Sequence, residues 1–281
     1  VKAFPIETVH SGPAASTVGA RFLSGLEKAL VIDVGGTTTD IAIIDRGHVK
    51  VTEEGAQVGG FNTAVRAADV RSFGLGGDSE IWLDTEDQLR IGPERVVPIC
   101  YLAHQYPHIR VYLDLLSRKF KLDRISPTHL EFWYLIREPT QTVDNLRAQK
   151  VIDLLRQGPL PLPGILEKME LIHPMQLDGQ KLVREEIIGR SALTPTDLFH
   201  ITGEFSPWDQ GAAQAAAGIL AKLIDLPVET LIRSVRTIMA EEIAGEVVKF
   251  ITKQTLERYP SYVPLQNLGA WLFEENIDQN H

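Results

Sequence analysis

The segment Asp33-Val34-Gly35-Gly36-Thr37-Thr38-Thr39-Asp40 lies between two apolar runs, Ala29-Leu30-Val31-Ile32 and Ile41-Ala42-Ile43-Ile44. It constrains the fold more than any other stretch of the chain. So short a connection joins antiparallel strands, because a parallel pair needs a crossover of about a dozen residues or more. A second tight turn, Arg46-Gly47-His48, leads into Val49-Lys50-Val51 in the same manner. Gly35 and Gly36 have no side chains, so backbone N–H groups at the turn can approach an anion closely. Thr37, Thr38 and Thr39 add hydroxyl donors. Asp33 and Asp40 flank the turn, a placement that suits a hydrated magnesium ion, which keeps its waters and uses one or two protein carboxylates. The plain alternative is an ordinary hairpin turn with satisfied Thr and Asp side chains. The pattern Asp-x-Gly-Gly-Thr-x-x-Asp between two apolar strands favours the phosphate reading.

Two common nucleotide motifs are excluded. No Gly-x-x-x-x-Gly-Lys-Ser/Thr occurs, and the 33–40 turn leads into a strand rather than a helix. Gly74-Leu75-Gly76-Gly77-Asp78-Ser79 is not Gly-x-Gly-x-x-Gly, and no βαβ unit surrounds it. Gly74, Gly76 and Gly77 read either as a second backbone cradle for nucleotide or substrate or as a plain glycine-rich connection.

A formal net charge of -9 with pI near 5.4 argues against a nucleic-acid partner, since phosphate backbones are met by a basic face. It does not argue against ATP, whose phosphates a few N–H groups and a metal ion can neutralise locally. The lone Cys100 excludes an intramolecular disulfide and suits a reducing cytoplasm. Within Val96-Val97-Pro98-Ile99-Cys100-Tyr101 it reads as a buried structural thiol rather than a nucleophile. No apolar run reaches the length of a membrane-spanning helix, and the start lacks the basic head and apolar core of a signal peptide. The first residue is Val1 and the opening residues already read as structured, so a segment of a longer chain is expected.

Along the chain, Ser11-Gly12-Pro13-Ala14 opens a helix of small residues, with Ser11 or Gly12 as cap and Pro13 in the first turn. Glu80-Ile81-Trp82-Leu83 and Gln88-Leu89-Arg90-Ile91 form a strand pair across the acidic turn 84–87. Residues 109–200 read as proline-broken helices and short strands, with Pro159, Pro161 and Pro163 marking a linker or sharp loop. A helical stretch runs from near Asp209 to Glu257, interrupted near Pro227. The organisation expected is α/β: core strands with the phosphate turn over residues 1–100, a mixed insertion over 101–200, and helices over 201–281 that pack back on the core.

Other polar residues carry weaker signals. His104 and His108 have helical spacing, but Pro107 between them spoils a shared ligand face. His10 reads either as facing the phosphates or as a capping and packing residue. His200 and Asp209 flank Gly203-Glu204-Phe205-Ser206-Pro207-Trp208, which reads as a functional loop or a surface turn. Glu185 to Leu198 faintly suggests a helix-turn-helix, but Thr194 capping a helix with Pro195 in its first turn is simpler. Trp133, Tyr134 and Trp208 read as core or interface residues.

Glu7-Thr8-Val9-His10-Ser11-Gly12-Pro13-Ala14-Ala15 followed by Ile32-Asp33-Val34-Gly35-Gly36-Thr37-Thr38-Thr39-Asp40-Ile41-Ala42 closely resembles the hydantoinase A/oxoprolinase family. Val58-Gly59-Gly60-Phe61, then Gly74 to Ser79, then Leu89-Arg90-Ile91-Gly92-Pro93-Glu94 keep the order of that family's landmarks. The resemblance covers residues 5–95 and implies an actin-like ATPase (ribonuclease H-like) core, shared with chaperones and sugar kinases. It implies further that ATP hydrolysis is coupled to opening a cyclic amide such as a hydantoin or 5-oxoproline, through phosphorylation of the amide oxygen. Relatives serve as subunits of ketone carboxylases. On this resemblance Asp33 orients magnesium and the attacking group, Asp40 shares the metal, and Thr37 and Thr38 hold phosphate oxygens. Such folds also need a first phosphate loop, and no second Gly-Thr-x-x-Asp turn occurs here. A further N-terminal domain or partner subunit is therefore expected. The alternative function is an ATP-binding conformational switch or enzyme activator of the same fold, without hydrolase activity of its own.

Overall fold

The computed structural model describes residues 11–52, 57–58, 61–62, 67–119, 125–141, 143, 145–177 and 179–258. The landmarks Glu7 to His10 and Gly59-Gly60, and the C-terminal residues 259–281, lie outside the described residues. The chain forms two compact units, residues 1–73 with 239–281 and residues 74–238. These bounds run across the expected partition at 100 and 200, because the strand pair at 79–95 builds into the same unit as the segment that follows it. The protein is mixed α/β.

In the first unit, α1 (Ser11–Ser24) ends at Gly25, whose N–H donates to the Arg21 carbonyl at 2.8 Å from a left-handed backbone (φ 67°). The strand β1 (Ala29–Val34) pairs antiparallel with β2 (Thr39–Asp45), with Asp33 opposite Asp40 and Val34 opposite Thr39. The strand β3 (His48–Val49) continues from β2 through Arg46 and Gly47, both at positive φ. That is the mirror-image turn whose twist matches a hairpin. Short strands β4 (Val51–Thr52), β5 (Gln57–Val58), β6 (Phe61–Asn62) and β7 (Ala67–Ala68) pair as β4 with β7 and β5 with β6. The strand β8 (Val70–Phe73) returns to pair with β2, antiparallel, along the side that β1 leaves free. The central strand β2 is thus buried on both faces, at Thr39 and Ile41 on one and Ala42 and Ile44 on the other. Its unbroken apolar reading has this cause.

In the second unit, β9 (Ser79–Leu83) and β10 (Leu89–Arg95) form the expected hairpin. Its acidic turn is organised by Asp84, which accepts from the N–H groups of Glu86 and Gln88 and from Arg90 Nε. The short strand β11 (Val97–Pro98) precedes α2 (Ile99–Gln105) and α3 (His108–Lys119). Beyond them come β12 (Phe132–Leu135), α4 (Leu146–Leu155), β13 (Leu160–Pro161), α5 (Leu162–Met169), α6 (Gly179–Arg184) and β14 (Ile188–Ala192). The sheet order is β11-β14-β12-β13, with β14 parallel to β11 and antiparallel to β12. Pro159, Pro161 and Pro163 do not form a linker. Pro161 ends β13 and immediately precedes α5, where Pro163 occupies the first turn and its missing N–H leaves nothing unsatisfied. Tyr134 faces Gly189 across the β12–β14 ladder, and a Cβ at 189 would stand 2.3 Å from the ring. Only glycine leaves room for that phenol.

The helices α7 (Pro195–Thr202) and α8 (Gln210–Leu223) follow, and α8 buries Ala212, Ala213, Ala216 and Ala217, small residues that let α3 and α7 pack closely on it. Thr194 caps α7, with Asp197 as its reciprocal partner and Pro195 in the first turn, as the sequence suggests. Asp197 does more. Its buried carboxylate accepts from the N–H groups of Thr194 (2.9 Å), Cys100 (2.7 Å) and Ile99 (3.3 Å), so one side chain serves the N-termini of both α7 and α2. Asp209 caps α8 and pairs with Arg110, whose guanidinium lies in the space beside Gly211.

The last helix, α9 (Val228–Arg258), follows the break at Pro227 and supplies residues to both units. In the first unit, its Glu246 binds Arg71 of β8 at 2.9 Å and its Gln254 bridges Lys50 and Asp69, while Phe250 between them is buried. These three positions are four apart and share one helix face.

A carboxylate pair at a glycine turn

The register of the first unit's sheet builds the candidate site. Asp33 and Asp40 are directly opposite on β1 and β2, so both side chains leave the same face of the sheet. In such pairs Cβ atoms are about 4.5–5.5 Å apart, and like charges so placed repel. Among the described residues neither carboxylate has a basic partner. Thr38 Oγ1 donates to Asp40 Oδ2 at 3.4 Å, and Asp40 Oδ1 is buried with no hydrogen-bond partner. A buried, unmatched carboxylate oxygen beside a second carboxylate is the donor set of a hard cation. The residues present therefore fit a magnesium ion. No group of three or more His, Cys, Asp or Glu side chains is gathered for a metal among the described residues, and magnesium does not require one.

The turn itself divides the expected ligands. Gly35 N–H donates to the Thr38 carbonyl at 2.9 Å, closing the turn. Gly36 and Thr37 lie at its exposed tip, and among the described residues nothing takes their N–H groups. Thr38 is half-buried beside Asp40, whereas Thr39 is fully buried in β2 and turned to the opposite face. The Gly36 and Thr37 N–H groups are thus available to an anion, while the Thr38 hydroxyl is turned to Asp40.

Gly74, Gly76 and Gly77 fall in the other unit. Gly76 N–H donates to Ser79 Oγ at 2.9 Å in a buried setting, and the Gly77 carbonyl accepts from Thr196 N–H at 2.8 Å. Gly74 packs against Pro93. This is the bonding of a packed connection.

The first 103 residues match the family model described as hydantoinase/oxoprolinase. No curated protein matches the chain. A solved nucleotide-free structure of acetone carboxylase, from work on ATP-dependent acetone carboxylation, is similar at 19% identity with a TM-score of 0.31. The similarity covers 62% of this chain and 23% of that one, so the chain spans less than a quarter of that protein's length.

Away from the 33–40 turn, His108, His200 and Cys100 are engaged in the packing of the second unit. His104 lies in the last turn of α2 and His108 begins α3, where its Nε2 meets the Pro159 carbonyl at 3.0 Å, so the two share no ligand face. His200 is buried. Its Nδ1 lies 2.8 Å from the Thr196 carbonyl, which only accepts, so Nδ1 carries the proton, while Trp208 N–H donates to Nε2 at 3.3 Å. Cys100 Sγ is 3.6 Å from the same Nδ1, which cannot take its proton. Burial and the Asp197 carboxylate push the Cys100 thiol far above its ordinary range. Cys100 and His200 are therefore not a nucleophile and its base, and the 203–208 loop packs on His200 through Phe205 and Trp208.

Sequence reasoning missed one ion network. Arg190 of β14 holds Glu80 with both carboxylate oxygens (3.0 and 2.9 Å) and Glu131 at 2.8 Å, and Trp133 Nε1 donates to Glu131 at 2.7 Å. Burial raises the Glu80 carboxyl, against the pull of Arg190 and with the push of Glu131. Arg190 and Trp133 line a cavity of about 1480 Å³ with Arg137, Lys181 and Arg184. The participants come from segments separated by 51 to 110 residues, a spacing with no sequence signature.

Proposed function

We propose that the 33–40 turn is a phosphate and magnesium site in an actin-like ATPase core, and that the chain is part of an ATP-dependent enzyme opening cyclic amides of the hydantoin or 5-oxoproline type. The observation that carries this reading is the buried, unpartnered Asp40 Oδ1 beside an in-register Asp33 at the mouth of the turn. The family of residues 1–103 supports the substrate class. Asp33 and Asp40 would hold the cation, the Gly36 and Thr37 N–H groups would meet phosphate oxygens, and the Thr38 hydroxyl would do so on turning away from Asp40. Bound ATP supplies the phosphoryl group that renders an amide carbonyl open to attack by water. Further protein, as a domain or a subunit, completes the nucleotide clamp, and the reducing cytoplasm suits the single buried thiol.

Calorimetric titration with Mg-ATP and Mg-ADP tests the site. The chain as it stands binds, and Asp33→Asn loses affinity about tenfold or more while its unfolding midpoint barely moves. Equal heats from the two chains overturn the assignment. No helix among the described residues is long and apolar enough to cross a membrane, so the titration needs no detergent on that account.

A further inference from the structure

The same sheet face carries a third oxygen that the 33–40 motif does not contain. Asp40 is opposite Asp33 on one side and opposite Ser72 of β8 on the other. Directly opposed residues in a ladder share a face. Asp33, Asp40 and Ser72 therefore stand in one row across β1, β2 and β8, and Ser72 is exposed. The next row behind them on that face is Val31, Ala42 and Val70, which brings no charged group beside the carboxylates. Arg71, the neighbouring cation on β8, leaves by the opposite face and is engaged by Glu246. The row thus offers oxygen ligands alone, with one carboxylate oxygen already desolvated and unmatched.

We propose that Ser72 is the third side chain of this cation site, its hydroxyl oxygen facing the cation directly or through one of the waters such an ion keeps. The inference rests on the reading of the turn as a magnesium site and adds to it a residue from a separate strand, about 30 positions away in sequence, that only the register brings into the row. Ser72 is a positioning residue here: it sets the cation on the β8 side of Asp40 and so fixes which side of the turn the phosphates approach.

Water-proton relaxation enhancement with Mn²⁺ alone, measured on the whole chain, tests it without any turnover. Four proteins are compared: the parent chain, Asp40→Asn, Ser72→Ala and Ser72→Thr, each checked for an unchanged circular dichroism spectrum. The parent chain binds Mn²⁺ and Asp40→Asn does not. Ser72→Ala weakens binding about tenfold, the lower end of what outer-shell groups contribute to metal affinity, and Ser72→Thr restores it because a β-branched hydroxyl suits a strand. If Ser72→Ala binds like the parent while Asp40→Asn fails, the role of Ser72 is refuted and the carboxylate site stands. If the parent chain shows no enhancement above Asp40→Asn, both fall together.

Discussion

Asp197 offers the sharpest test of how the larger unit is held together. Its carboxylate accepts from Ile99 N–H, Cys100 N–H, Thr194 N–H and the Thr194 hydroxyl, at 3.3, 2.7, 2.9 and 2.9 Å. Asp197, Ile99, Cys100 and Thr194 are all buried, so water cannot replace the lost acceptor. Asp197→Ala leaves three backbone donors unmatched, each at about 1–3 kcal/mol. The hydroxyl can turn elsewhere. Part of the loss is offset because the carboxylate no longer has to be buried, and burial already raises its carboxyl above the ordinary range. The net expectation is a loss of about 3–5 kcal/mol, a large share of the stability of an ordinary domain. Asp197→Asn keeps one acceptor oxygen but points an amide N–H at a donor, so its loss is intermediate. Urea unfolding followed by tryptophan fluorescence suits the measurement, since Trp82, Trp133 and Trp208 all lie in the affected unit. Amide exchange at Ile99 and Cys100 should rise in parallel. A loss below about 1 kcal/mol for Asp197→Ala, or exchange at those amides unchanged, refutes the double-cap account.

Two further outcomes follow from the burial of titrating groups. Cys100, buried and with its thiol pushed up, should resist iodoacetamide at pH 8 in the folded chain and react once urea unfolds it; rapid labelling with the fold intact would contradict the placement. Glu80 has its carboxyl raised above 4.5, so its contribution favours folding at pH below that ordinary value and is lost as pH rises through the raised one. Glu80→Gln should therefore flatten the decline of stability with rising pH just above 4.5, measured by urea midpoints; an unaltered pH slope would show that Glu80 is solvated.

The legible parts of the fold were those governed by neighbours in sequence. The Asp33–Asp40 hairpin, the Thr194 cap with Pro195, the β9–β10 pair and the break at Pro227 each follow from residues within a few positions of one another. The proline cluster at 159–163 misled because proline marks a linker and a helix start with the same residue. What lies downstream decides between them, and Leu162, Ile165 and Met169 supply a buried helical face. In the candidate site, Thr39 reads as a ligand by composition yet alternation sends it to the wrong face. Gly76 reads as a cradle, but its N–H meets Ser79 three residues on.

From sequence alone come the hairpin, its glycine turn and the two flanking carboxylates, because strand alternation and turn chemistry act over a handful of bonds. Tertiary structure alone decides that Ser72 joins the row of Asp33 and Asp40, that Asp197 serves two helices, and that Arg190 gathers Glu80 and Glu131. Each of those depends on register or packing between segments distant in the chain. A shift of one residue in β8 would turn Ser72 to the far face without altering any local preference.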